Sequence, residues 1–165
     1  MTDTYVECLV KQNPKAFKKF LKYLMISLTV LMGIACLLTG MLILFAVAVG
    51  MGVLAYFVSL NSELEYEYLY CDREITIDKI MSQTKRKRVA KFEVDKMEIL
   101  APANSYKLDE FKNRQWKESD YSSGDLQNPR RYVFYYEGQK KVIIEPSEAF
   151  VKAVYNVAPR KVVQN

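Results

Sequence analysis

The sequence predicts a membrane α-hairpin joined to an α+β soluble domain, an antiparallel sheet or barrel closed by a C-terminal helix. Three observations lead there. Residues 23–62 are apolar and uncharged, aromatics alternate with glutamates just after them, and an amphipathic helix lies near the end of the chain.

Lys22 and Glu63 bracket forty residues without an Asp, Glu, Lys or Arg. A helix rises about 1.5 Å per residue and a hydrocarbon core is roughly 30 Å thick, so one span takes about 20 residues. A single helix here is about twice too long, more than tilt absorbs. Two near-minimal spans fit, with a break near Thr39-Gly40; the alternative is one long span with a buried extension. The stretch is too long for a signal-peptide core. It holds no ionisable group, so an ion pathway or proton relay has no candidate residue.

The formal charge of +5 comes mostly from the segment before the spans, where Lys11, Lys15, Lys18, Lys19 and Lys22 face only Asp3 and Glu7. By the positive-inside bias, a hairpin with these lysines at its start keeps both termini in the cytoplasm. Asn13-Pro14 suits a helix start. Phe17, Phe20, Leu21 and Leu24 then share one face, with Lys15, Lys18, Lys19 and Lys22 on the rest. Those four lysines are candidate contacts for anionic lipid head groups at the interface. In the spans, Ala46 and Gly50, Ala48 and Gly52, and Thr29 and Gly33 are small residues four apart, a spacing that lets helices approach closely in lipid. They pack the hairpin on itself or join two copies.

Beyond the spans, Glu63, Glu65 and Glu67 alternate with Leu64, Tyr66, Tyr68 and Tyr70, the period of a half-buried strand. Residues 71–74 can turn, and residues 74–80 read as a second strand. Residues 89–94 follow, with Ala90, Phe92 and Val94 on one face, then a strand over 96–101 ending at Pro102. Residues 103–129 lack periodicity, apart from a helical turn near Leu108 and Phe111, and Asp120-Tyr121-Ser122-Ser123-Gly124-Asp125 is loop chemistry. Residues 131–136 and 140–145 form a hairpin through Glu137-Gly138-Gln139. Pro146 and Ser147 open the last helix, whose face is Phe150, Ala153, Val154 and Val157, and Pro159 stops it. Val6, Cys8 and Val10 alternate weakly, so residues 4–10 either add an edge strand or are disordered.

The chain has no histidine, which removes histidine triads, imidazole metal sites and the commonest general base. No Gly-x-Ser-x-Gly elbow or phosphate-binding glycine loop occurs. Cys8, Cys36 and Cys71 have no metal-knuckle or disulfide spacing, which suits a reducing compartment. No catalytic residue, metal or cofactor is expected, and no enzyme. From Glu63 onward 19 Lys and Arg meet 17 Asp and Glu, a balance that argues against nucleic-acid binding. Lys85, Arg86, Lys87 and Arg88, with Lys91, form the strongest basic cluster. They are candidate anionic-lipid contacts, or else a solvated hairpin tip. The strand tyrosines are a stacking platform or ordinary half-buried packing. Trp116 and Phe111 anchor the long loop or dip into the membrane interface.

The strand order, the opening hairpin Tyr68-Leu69-Tyr70-Cys71-Asp72-Arg73-Glu74-Ile75-Thr76-Ile77 and the terminal helix resemble bacterial pleckstrin-homology-like domains that follow paired transmembrane helices. The resemblance covers residues 63–159. The whole chain is also similar to a family of small two-span bacterial membrane proteins, a domain of unknown function. The strings that carry this are Thr4-Tyr5-Val6-Glu7-Cys8-Leu9-Val10, Glu98-Ile99-Leu100-Ala101-Pro102, Asp120-Tyr121-Ser122-Ser123-Gly124 and Asn156-Val157-Ala158-Pro159-Arg160-Lys161. That resemblance implies a bacterial cytoplasmic-membrane location and no particular activity. The expected division is an N-terminal segment over 1–12, a two-span hairpin over 13–60, a cytoplasmic domain over 63–158 and a tail over 159–165. The expected role is a non-enzymatic membrane-anchored adaptor, its partners the bilayer and an unknown protein or a second copy. An anionic-lipid module using residues 85–91 is the alternative, and an enzyme of unrecognised class a distant third.

Overall fold

The computed structural model describes residues 5–13, 16–62 and 64–164, in two compact units. Thr4, Pro14, Lys15 and Glu63, each with an expected role, lie outside the described residues, as does the side chain of Lys18.

One unit holds two helices, α1 (Ala16–Thr39) and α2 (Leu42–Ser62). The chain reverses at Gly40, which sits at φ +68°, a left-handed conformation that favours glycine. Its N–H donates to the Cys36 carbonyl at 2.9 Å, and the Leu44 N–H donates to the Met41 carbonyl at 3.1 Å. Within these helices, Lys19–Thr39 and Leu42–Leu60 are each long and apolar enough to cross a membrane. Leu37, Leu38 and Leu42 are more than four-fifths exposed, an apolar surface that suits a lipid solvent. The hydroxyls of Ser27, Thr29 and Thr39 donate back to the Leu24, Met25 and Ala35 carbonyls, which satisfies them within the helix.

The other unit comprises Met1–Gln12, Glu65–Ile80 and Arg86–Asn165. Its first sheet has the order β1-β2-β3-β4: β1 (Val6–Lys11), β2 (Leu64–Cys71), β3 (Glu74–Met81) and β4 (Lys85–Glu93). β1 pairs antiparallel with β2, from Val6 opposite Tyr70 to Lys11 opposite Glu65. The second sheet has the order β5-β7-β8-β6: β5 (Met97–Pro102), β6 (Lys117–Asp120), β7 (Tyr132–Tyr136) and β8 (Lys140–Ile144). Helix α3 (Glu148–Val157) follows, capped by the Ser147 hydroxyl, which accepts from the Phe150 N–H.

Positive φ at both central residues builds three of the reversals: Asp72 and Arg73, Ser82 and Gln83, and Glu137 and Gly138. This backbone matches the strand twist in tight hairpins. Tyr66, Tyr68, Tyr70, Ile75, Ile77 and Phe92 of the first sheet meet Phe134, Tyr136, Val142 and Ile144 of the second, and Phe150 and Val154 of α3 complete that core. The Phe150 ring meets Tyr68 and Tyr70 edge-on, at centroid distances of 6.3 and 6.0 Å. On the other face of the second sheet, Phe111 stacks on Tyr135 at 4.6 Å and Trp116 lies over it at 4.5 Å. The Trp116 indole N–H donates to the Phe111 carbonyl, so both rings anchor the long loop to the domain.

Three expectations need correction. There is no closed barrel: the described strands form two separate sheets, and the outer edge of β5 is taken by the C-terminal tail, where the Leu100 N–H donates to the Lys161 carbonyl and the Leu100 carbonyl accepts from Val163. The antiparallel pattern is also interrupted, because β6 pairs parallel with β8. Its residues Lys-Glu-Ser-Asp are polar on both faces, so no alternation announced it. Finally, Val157 is more than a third exposed while Val151 is buried, because the core-facing stripe of α3 runs through Phe150, Val151, Ala153 and Val154.

Candidate functional site

A groove of about 640 Å³ runs beside α3. Its floor is Tyr132, Pro146 and Val151, all buried, and Arg130, Lys152 and Tyr155 stand exposed on its rim. On α3 the lining positions 148, 151, 152, 155 and 156 form one helical stripe.

The chain beside the groove is held by hydrogen bonds of Glu145 and Arg131. The Glu145 carboxylate is 4% exposed, and its Oε1 accepts from the Ser123 hydroxyl at 2.8 Å. The Glu145 N–H donates to the Tyr68 hydroxyl at 3.3 Å, which itself donates to the Tyr121 carbonyl at 2.6 Å. Burial pushes the Tyr68 phenol far above its ordinary range, so it stays a donor. The Glu145 carbonyl accepts from the Cys8 thiol of β1, whose pKa is raised chiefly by burial. Arg131 reaches Asp120 Oδ2 at 3.3 Å and the Asp125 carbonyl at 3.3 Å. Arg131 and Glu145 thereby hold the chain next to the groove residues Arg130, Tyr132 and Pro146.

The segment from Asp120 to Arg130 orders itself by a series of short side-chain bonds. Asp120 accepts from the Ser122 N–H, Ser122 from Gly124, Ser123 from Asp125, Asp125 from Gln127, and Asn128 from Arg130. Asp and Ser hydroxyl or carboxyl groups bonded two residues on replace ladder bonds, which is how a non-periodic segment becomes fixed. The sequence marked this string only as loop chemistry. The density of Asp, Ser and Asn at two-residue spacing was the signal that could have identified an ordered segment.

The basic cluster lies in strand β4 rather than at a hairpin tip, which falls at Ser82 and Gln83. Arg86 pairs with Glu67 and lies 3.8 Å from Asp78, Arg88 lies 3.6 Å from Asp78, and Lys91 is 2.9 Å from Glu74. Glu67 and Asp78 are 3% and 5% exposed. Buried carboxylates require such cations, so Arg86 and Arg88 answer charges of their own sheet. Lys85 and Lys87 remain exposed without an ion pair among the described residues. Burial, and a hydrogen bond shared with Glu7, raise the Glu67 pKa, while that bond and one from Tyr5 lower Glu7.

Lys19 is exposed and Lys22 half-buried on α1. Of the span-packing candidates, Thr29 and Gly52 meet: a Cβ on Gly52 would lie 3.7 Å from Thr29 Cγ2. Ala48 is half-buried, Ala46 is exposed, and a Cβ on Gly33 or Gly50 would find nothing within 4 Å. No cluster of His, Cys, Asp and Glu able to hold a metal occurs among the described residues.

Two sheets around one core, closed by a C-terminal helix with a groove at its side, define a pleckstrin-homology-like domain, here with a helical hairpin between its first two strands. The chain matches the family described as "Bacterial PH-like domain (DUF6106)" over residues 2–164, and it belongs to that family. Comparison with curated proteins and with solved structures gave no match.

Proposed function

We propose that this protein is a non-enzymatic adaptor of the bacterial cytoplasmic membrane. Its two helices cross the bilayer, and its PH-like domain binds a protein partner on the cytoplasmic side. The observation that carries this reading is the groove beside α3, whose adjoining chain is held by the hydrogen bonds of Glu145 and Arg131. A concave site ordered in advance loses less entropy on binding than one that must assemble. Anchoring is supported by the outward-facing apolar side chains of α1 and α2 and by the lysines before them.

A photo-cross-linking residue at position 155, on the groove rim, tests the reading in living cells. A discrete heterologous adduct from position 155, not formed from position 140 on the far end of β8, is the expected result. Monomer alone at both positions would sink the adaptor. Topology is tested through Cys71, which is exposed, whereas the partly buried Cys8 is a poor reporter. In intact cells Cys71 should resist an impermeant thiol reagent.

A second reading is anionic-lipid binding through Lys85 and Lys87. It is supported by their exposure and by the lack of an ion pair at either among the described residues. Changing both to Gln should weaken attachment of the purified chain to anionic vesicles; unchanged binding at low salt removes it.

A further inference from the structure

We infer that the groove takes an extended peptide segment bearing acidic side chains, with Arg130 and Lys152 as its recognition residues. This rests on the adaptor reading and gives its partner a chemistry. Among the described residues neither Arg130 nor Lys152 has an ion pair, although both are exposed on one rim. They differ in this from Arg86, Arg88 and Lys91, whose charges are answered within the fold. Unanswered cations over a buried apolar floor favour an anionic occupant with an apolar body.

The shape favours a chain over a point ligand. The stripe from Glu148 to Asn156 is about 12 Å long at 1.5 Å per residue, room for roughly four residues of extended peptide. The side-chain amides of Asn156 and Gln164 also line it and match peptide N–H and C=O groups. Glu148 sits in the same stripe. Its carboxylate can accept a peptide N–H, a donor that a phosphodiester lacks. The chain beside the groove needs no partner to order it, since Arg131 and Glu145 are already bonded.

The test uses the full chain in nanodiscs of phosphatidylcholine, panned against a display library of random peptides. Selected peptides should be enriched in Asp and Glu. Their affinity should fall about tenfold or more in the Arg130→Glu/Lys152→Glu double variant and weaken with added salt. The Lys140→Glu variant, which alters charge outside the groove, should bind as the unmodified protein does. Unaltered thermal unfolding of the double variant would show that a loss of binding is not a loss of fold. Selection without acidic enrichment, or an affinity untouched by the double reversal, overturns the proposal. Displacement of the peptide by glycerophosphoglycerol, or by phosphatidylglycerol added to the discs, makes a lipid head group the occupant and also overturns it. The position-155 adduct separates the two readings. If it persists in cells carrying the double variant, the acidic-peptide assignment falls and the adaptor stands; if the unmodified protein gives none, the adaptor itself falls.

Discussion

Lys11 lies directly opposite Glu65 across the β1–β2 pair, so the helical hairpin takes the place of the loop of a β-hairpin. The strand before α1 and the strand after α2 are neighbours in one sheet, and both ends of the hairpin are committed to the same domain. β1 is therefore part of the core rather than a leader to it. Val6, Cys8 and Val10 pack inward, while Glu7, Leu9 and Lys11 face out.

That alternation gives a face-specific test. Val10→Asp places a charge against the core and should cost roughly 2 kcal/mol or more. Leu9→Asp, one residue away on the exposed face, should change stability by less than about 0.5 kcal/mol. Thermal unfolding of the two variants decides it. Equal effects would mean that β1 does not hold this register.

The buried bonds around Glu145 predict a loss without any cavity. Tyr68→Phe keeps the ring against Phe150 but strips the Tyr121 carbonyl and the Glu145 N–H of their partner. An unpaired buried group costs about 1–3 kcal/mol. Denaturant unfolding should show that loss, and Ser123→Ala a similar one through the Glu145 carboxylate.

Glu67 predicts a pH dependence. Its pKa is raised in the folded protein, chiefly by burial. The folded state then holds the proton more tightly than the unfolded chain. The stability this adds is complete below the ordinary Glu value and is lost as pH rises through the raised folded value. Glu67→Gln stays neutral and escapes that loss. Melting temperatures across mildly acid to neutral pH should show the variant gaining on the unmodified protein as pH rises. A constant difference would rule out a raised Glu67.

In the hairpin, Gly52→Leu should drive the helices apart, because the new side chain meets Thr29. Gly50→Leu should be tolerated, because a Cβ there finds nothing within 4 Å. Thermal stability in detergent compares them directly; overpacking typically costs about 1–3 kcal/mol.

Features governed by chemistry close along the chain were legible in advance. The break at Gly40 followed from span length and a residue able to adopt positive φ. β2, β7, β8 and α3 followed from period-two or helical patterning around Tyr66, Tyr132, Val142 and Phe150. β6 was not legible, because Lys117, Glu118, Ser119 and Asp120 alternate nothing; its place comes from pairing with β8, where Glu118 meets Lys141 at 2.8 Å. The groove was also invisible, since Arg130 and Lys152 are 22 positions apart and both lie outside the basic run at 85–88.

By itself the sequence determined the two apolar helices, their reversal, the strand-rich remainder and the closing helix, because each depends on periodicity or on a residue's own backbone preference. Only the tertiary structure decided which cations are spoken for. Arg86 and Arg88 look as available as any residue in a run of four, but cross-strand register sets them against Glu67 and Asp78. Arg130 and Lys152 draw no notice in the string, and among the described residues packing leaves them without an ion pair over an apolar floor. Charge in a sequence is a property of residues, whereas its availability depends on neighbours that only folding supplies.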